Sequence, residues 1–475
     1  MMVYTMNIVE ALGSAALIIC FVIATLYQVL YVVYYLAGLR SVNRNGNIVK
    51  SSTARKGVSI LVSMKGEPMD KIEALIKNFI NSELSKYGEL IIVSHDDYND
   101  YVKIREVVDK TRGGVDNVIL MWREGGRGFK AGAINAALWL ARYDYILVID
   151  IDSVFNSDFV FQAIDLLEKN TEFVAVTSRW RGLNRETIVS ETLWYVMEFE
   201  VNTLYRGRYS LGLPVFTLGA GTVYRRDYVR EVLKGWSEDN IVEDIDAGLR
   251  IIMGGRRTAF LDDHVVLVEV TNRLSSLKIQ QERWVYGALY TFKKYLRRLF
   301  LSPINPLVKL ELSLYLNQYL SSALFFLGVL VSSIISVIYG KDLVLEHLPF
   351  ATAWFISFTL FSLCLAHVIH SYTRNVWKTI VILGRSGVIH NYLSHTILKS
   401  IMRFLLGYPL EFRRTPKGEF EKKLVSKPLS EYILASLFTI LTIALLIRRL
   451  VIVTGFTFMF ALTYVYLNVR REKWL

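Results

Sequence analysis

Acidic pairs recur along this chain, each at the end of an apolar run. ELIIVSH at 89–95 leads into Asp96 and Asp97, and YILVID at 145–150 leads into Asp150-Ile151-Asp152. Residues two apart in an extended chain face the same way, so Asp150 and Asp152 can address one hard cation whose shell substrate phosphates complete. The plainer reading is that such acids cap the helices that follow. Either reading stands for Asp96 and Asp97; for Asp150 and Asp152 a cap is less attractive, since it needs only one carboxylate and a second beside it is repelled. IVEDIDAGLRI at 241–251 sets Glu243, Asp244 and Asp246 at a predicted helix start. The helix macrodipole favours carboxylates there; the sharper reading makes one of them a general base. In VFTLGAGTVYRRD (215–227), Gly219, Ala220 and Gly221 follow what reads as an apolar strand, and small residues let backbone approach a ligand closely or simply turn tightly. QQERWVYG at 280–287 places Arg283, a planar fork suited to phosphate, beside Trp284, an aromatic face suited to a flat ring or to a lipid interface.

The elements that must carry these residues alternate. GVSILVSM (57–64), ELIIVSH, NVILMW (117–122) and YILVID read as strands. DKIEALIKNFINSEL, YVKIREVVDKTR and KAGAINAALWLA (130–141) read as helices between them. That rhythm predicts a parallel sheet with helices on both faces, and such sheets bind ligands at the carboxyl ends of their strands. The expected fold is therefore α/β over 57–300, combined with an α-helical membrane region.

The 475 residues are 53% hydrophobic and 21% charged, with net charge +12. This mixture suits a water-facing domain joined to several membrane helices. The uncharged run 11–39 is long enough to span a bilayer and is followed by Arg40, Arg44, Lys50, Arg55 and Lys56, so residues 1–56 are expected to be one spanning helix and a basic linker with the next domain cytosolic. In 301–475 the expected spans are 312–339, 350–372, 431–447 and 450–468, with 388–410 an amphipathic interfacial helix. Arg448 and Arg449 then face outward, against the positive-inside tendency. The basic residues gather beside membrane segments and do not form a basic, aromatic-studded face, which argues against nucleic acid as a partner and for membrane lipid. Cys20 and Cys364 sit in apolar runs and offer neither a disulfide framework nor a metal motif.

Taken in order, Asp96–Asp97, Asp150-Ile151-Asp152, Glu243-Asp244 and Gln280-Gln281-Glu282-Arg283-Trp284 resemble the D, D, D, QxxRW pattern of membrane-integrated, inverting family-2 glycosyltransferases: cellulose, mannan, chitin and hyaluronan synthases. RGFKAGAINAAL (127–138) is similar to the family's GKAGALN segment, and EFRRTPKG (411–418) to the RTPK segment of mannan-synthase-like members. The resemblance implies a GT-A fold and a multi-pass protein of the plasma membrane with a cytosolic catalytic domain. It implies a nucleotide-sugar donor, UDP before GDP, a glycan or lipid acceptor, and Mg²⁺ or Mn²⁺. By the same resemblance Asp244 is the base; Glu67, Asp96 or Asp97, Lys130, Asp150, Gln280 and Arg283 hold the donor; Asp152 with Asp150 holds the metal. Trp284, Gly219 and Glu243 then face the acceptor, and Arg414, Thr415 and Lys417 form a gating-like segment. SMKGEP (63–68) departs from the family's Tyr-Asn-Glu segment at Lys65 and Gly66, which leaves nucleotide recognition open. A processive polysaccharide synthase is the first reading. A glycolipid synthase that adds one sugar is the second, and an inactive transferase-like scaffold is a remote third, since no acidic motif residue is missing. Protein partners are unknown.

Overall fold

The computed structural model describes residues 8–41, 55–409, 415–416, 421 and 429–474. A seven-stranded sheet is built from β1 (Val58–Met64), β2 (Gly88–Ser94), β3 (Val118–Trp122), β4 (Tyr145–Asp150), β5 (Phe173–Gly182), β6 (Thr222–Arg225) and β7 (Arg257–Val268), in the order β3-β2-β1-β4-β6-β5-β7. β1 pairs in parallel with β2 and β4, and β2 with β3, as the strand–helix rhythm predicts. β6 runs antiparallel to both β4 and β5, so the sheet is mixed.

Alternation along β1 sorts its side chains to two cores. Val58, Ile60 and Val62 meet Ile72, Leu75, Ile76 and Phe79 of the helix Met69–Asn81. Leu61 packs on the other face with Ile91, Val93, Ile146 and Val148, against Ala131, Ile134 and Ala137 of the helix Phe129–Leu140 and Ala247 and Ile251 of Glu243–Met253. Each fully buried aliphatic side chain there contributes about 1.5–3 kcal/mol. The result is a rigid floor with its carboxyl edge free.

Among the described residues, five helices are long and apolar enough to cross a membrane: Ile8–Ser41, Tyr319–Tyr339, Leu348–Thr373, Leu429–Ile447 and Val451–Val469. Their far ends are tied together. Lys341 Nζ lies 2.7 Å from Glu10 Oε1, and Asp342 accepts the amides of Ile452 and Val453 at 2.8 and 3.2 Å, capping the last helix. A Cβ on Gly340 would lie 2.9 Å from Arg448, so Arg448 rests on the carbonyl end of Tyr319–Tyr339, where a helix favours a cation. That contact accounts for arginines at the end away from the sheet.

Two expectations change. Residues 312–339 are two helices, Pro306–Leu316 and Tyr319–Tyr339, because the chain turns at Asn317 and Gln318. The interfacial segment is one longer helix, Val376–Leu405, packed on Leu274–Leu301 and Tyr319–Tyr339.

The first helix docks on the sheet domain through two glycines. A Cβ on Gly207 would lie 2.0 Å from Tyr34 O, and one on Gly38 2.7 Å from Asn202 O. Gly207 closes a π-helical stretch (Val201–Gly207) that continues Ile188–Glu200. Beside it the fully buried Arg208 forks onto Glu311 at 2.7 and 2.9 Å, and Tyr34 donates to Glu311 at 3.0 Å.

Candidate active site

The acidic motifs converge at the carboxyl edge of the sheet, and one lysine joins them. Lys130 Nζ reaches Asp150 Oδ1 at 2.6 Å, Gly219 O at 2.6 Å and Glu243 Oε1 at 3.3 Å. Burial alone would lower its pKa, but Asp150, Glu243 and Asp244 hold it above the ordinary lysine value, so it is a fixed cation between two carboxylate motifs. Asp244 is pushed the other way. Burial and then the neighbouring Glu243 raise its carboxyl to about 7, with Lys130 opposing them. A carboxyl poised near neutrality is what proton abstraction from a hydroxyl requires.

Asp150 ends β4, but Asp152 does not continue it. Ser153 N donates to Asp150 O at 3.1 Å, closing a turn, so the expectation of two residues on one face of an extended strand is corrected to a strand end and a turn. Both carboxylates still stand at that edge, half-buried. Their hard oxygen donors suit Mg²⁺ or Mn²⁺, with two protein ligands leaving the remaining positions to a diphosphate. The glycine segment also differs from expectation. Residues 213–218 form no strand, and the strand follows the small residues as β6, because Thr222 Oγ1 accepts from Leu218 N at 2.9 Å and folds the loop back.

Gly219 lies where the acids meet: a Cβ there would sit 3.1 Å from Asp244 Oδ2 and 3.4 Å from Lys130 Nζ. Gly219→Ala is expected to lower the transfer rate by about 10–100-fold, as displacement of a reacting group does, while nucleotide affinity stays within about twofold. An unchanged rate would show that this approach does not position the base.

Asp96 and Asp97 are told apart. Asp96 is buried and accepts from Gly66 N, with Ser94 Oγ on its other oxygen at 2.8 Å, so it ties β2 to the loop after β1. Asp97 is exposed at the start of the helix Tyr98–Arg112. Glu67, in that same loop after β1, is half-buried. Asp246 is fully buried and structural: Ser237 Oγ and Arg250 Nε reach it at 2.7 and 2.8 Å, and Tyr295 OH at 3.2 Å.

Gln280, Arg283 and Trp284 lie half-buried on the helix Leu274–Leu301. Thr291 Oγ1 bonds Asn240 Nδ2 at 2.8 Å, and a Cβ on Gly287 would lie 2.6 Å from Val242 Cγ2. The helix is thereby bolted to the loop that presents Glu243 and Asp244. Glu421 accepts the amide of Asn272 at 3.0 Å, just ahead of this helix. Thr415 is buried, and Arg414 and Lys417 lie outside the described residues.

Sequence reasoning missed a group of tyrosines. Asp244 is within electrostatic reach of Tyr205, Tyr315 and Tyr319. Glu200, whose side chain is exposed, is in turn within electrostatic reach of Tyr31 and Tyr319. Tyr31 OH donates to Gln318 Oε1 at 2.6 Å. A group of polar-tipped aromatic side chains therefore links the surroundings of Asp244 to the first long helix through Gln318 and Tyr31. Nothing local in the sequence marked it, since its residues come from four separate segments.

Residues 145–373 match the model of glycosyl transferase family group 2. A "Probable glycosyltransferase" of Sulfolobus acidocaldarius is 26% identical over 369 residues, covering 77% of this chain and 78% of that protein. "Probable glucomannan 4-beta-mannosyltransferase 11" of Oryza sativa subsp. japonica is 24% identical over 261 residues, 53% of this chain, and the chain covers 44% of that protein's length. The fold matches the mannosyltransferase PcManGT from Pyrobaculum calidifontis, solved in complex with GDP-Man and Mn²⁺, at TM-score 0.57 and 16% identity, over 83% of this chain and 99% of that one.

Proposed function

For a chain that is a glycosyltransferase with a family-2, GT-A domain and membrane-type helices, we propose that it transfers a hexose, mannose first, from a GDP-sugar to a growing β-linked glycan that leaves through the membrane region. The observation that carries this reading is the half-buried Lys130 bridge, which brings the Asp150 and Glu243 motifs together beside an Asp244 raised to about 7. The mannosyl names of the relatives and the GDP-Man of the fold neighbour support GDP over the UDP that the motif pattern favoured. The tyrosines near Asp244 offer aromatic faces and hydroxyls of the kind a glycan acceptor binds, which supports a sugar acceptor.

The donor lies across the carboxyl edge, its nucleoside beside Asp96 and the loop carrying Glu67. Gln280 and Arg283 hold the diphosphate, and Lys130 adds a fixed positive charge. Asp150 and Asp152 would hold a divalent cation, which would supply further charge neutralisation there. Trp284 stacks under the acceptor sugar, with Gly219 and Glu243 shaping its pocket. Asp244 takes the proton of the acceptor hydroxyl, whose oxygen attacks the anomeric carbon from the face opposite the nucleotide. The bond to the phosphate oxygen breaks, its electrons stay with the departing GDP, and an α-linked donor yields a β-linked product. The protein sits in the plasma membrane with the sheet domain cytosolic.

The test uses purified protein in lipid with Mn²⁺ or Mg²⁺, given radiolabelled GDP- and UDP-sugars one at a time, with products separated by size. A long product from GDP-mannose supports the reading, and chelating the metal with EDTA is expected to lower the rate at least tenfold. One small, organic-extractable product would replace it with glycolipid synthesis.

A further inference from the structure

The transfer chemistry leaves unused a second group of side chains, at the other half of the carboxyl edge. Lys65 follows β1, His95 follows β2 and Arg123 follows β3. The first two flank Gly126, one of three glycines (125, 126 and 128) with positive φ in the loop after β3. A Cβ on Gly126 would lie 3.5 Å from Lys65 Nζ and 3.8 Å from His95 Nδ1, so both nitrogens look into the same small space. Arg123 Nη1 lies 3.2 Å from His95 Nε2. A guanidinium can only donate, so Nε2 is the acceptor and the ring proton sits on Nδ1. Burial, then Arg123 and Lys65, push the His95 pKa down to about 4, which keeps the ring neutral at pH 7. Two N–H donors therefore converge beside Gly126, next to the buried Asp96.

Nucleobases differ in what they offer to such a pair. Guanine presents two adjacent acceptors, O6 and N7; adenine presents one acceptor beside a donor. Uracil has O4 flanked by a C–H and an N–H, so one of the two donors would be left facing nothing. We propose that Lys65 Nζ and His95 Nδ1–H read the O6/N7 edge of guanine, with Arg123 fixing the imidazole tautomer, and that this pair selects GDP-sugars over UDP-sugars. The pair deepens the donor reading above and rests on it. It also gives a reason for Lys65-Gly66 standing where related transferases carry a different dipeptide.

The experiment measures GDP and UDP affinity of the full chain in nanodiscs with Mn²⁺, by calorimetry, for wild type, Lys65→Met, His95→Phe and His95→Gln. Wild type is expected to prefer GDP at least tenfold. Lys65→Met and His95→Phe should each weaken GDP about 5–150-fold, the span of a lost base contact, and leave UDP within about twofold. His95→Gln keeps a neutral donor and should restore much of the GDP affinity. A wild-type preference for UDP, or no affinity for either nucleotide, would overturn the GDP-donor reading and the pair with it. A GDP preference that survives in all variants, or an equal loss for both nucleotides, would overturn the pair alone, the latter assigning Lys65 to the diphosphate.

Discussion

Asp244→Asn is expected to abolish transfer by about 10²–10⁴-fold, the range spanned by general bases, while nucleotide affinity stays within about twofold. The amide keeps the shape and the hydrogen bond from Ile245 N to the Oδ1 position, 2.9 Å in the native site, but has no lone pair basic enough to take a proton. The neighbouring Glu243 is less suited: it is buried and engaged in an ion pair with Lys130 at 3.3 Å. The two adjacent carboxyls thus sit in environments that separate their roles. The pH profile follows from the sign of the shift. Asp244 is active only when deprotonated, and its carboxyl is raised to about 7, so kcat/KM should fall tenfold per unit as pH drops below about 7. Lys130→Gln should move that limb to higher pH, because Lys130 is the cation that opposes burial and Glu243. If Asp244→Asn transferred at near the wild-type rate, the base would lie elsewhere and Glu243→Gln would be measured next.

The strand–helix rhythm of 57–150 was legible because it is local: four β-branched, apolar runs fall within a residue or two of β1 to β4. The acidic motifs were legible because strand ends in such sheets carry chemistry. What was hidden depends on partners far apart in sequence. Whether Asp96 or Asp97 faces inward is decided by Gly66 N, thirty positions away. Lys130 reads as one cation in a helical segment, and only the fold brings Asp150, Gly219 and Glu243 to it. β6 is a four-residue strand whose antiparallel direction is set by its place between β4 and β5, not by its composition. The break at Asn317–Gln318 lies inside a hydrophobic stretch that reads as one span, yet it is what places Tyr315 and Tyr319 towards Asp244.

Glu198→Ala is expected to destabilise the protein by about 3–5 kcal/mol, the penalty for breaking a buried ion pair and leaving its partner behind. Glu198 is fully buried. It takes Arg179 on one oxygen and Arg181 Nε on the other, and Tyr372 OH donates to it at 2.7 Å. Arg179 keeps Asp262 at 2.8 Å after the substitution, which sets the loss nearer the lower figure. Burial works to raise the Glu198 pKa, but the two guanidiniums and the tyrosine overcome it and hold the carboxyl below its ordinary value. A depressed folded pKa contributes stability that is complete above the ordinary glutamate value, about 4.3, and is lost as pH falls through the folded value. The gap in melting temperature between wild type and Glu198→Ala should therefore be full at pH 7 and narrow below pH 4. Glu198→Gln should lose the charge term yet keep the packing and fall between them. Tyr372 ends the membrane helix Leu348–Thr373, so this carboxylate also joins that helix to β5. Transfer activity in detergent should then decay in step with unfolding. Loss of activity without loss of stability would mean that Glu198 acts on the site itself, and equal melting temperatures would mean that water replaces the carboxylate around Arg179.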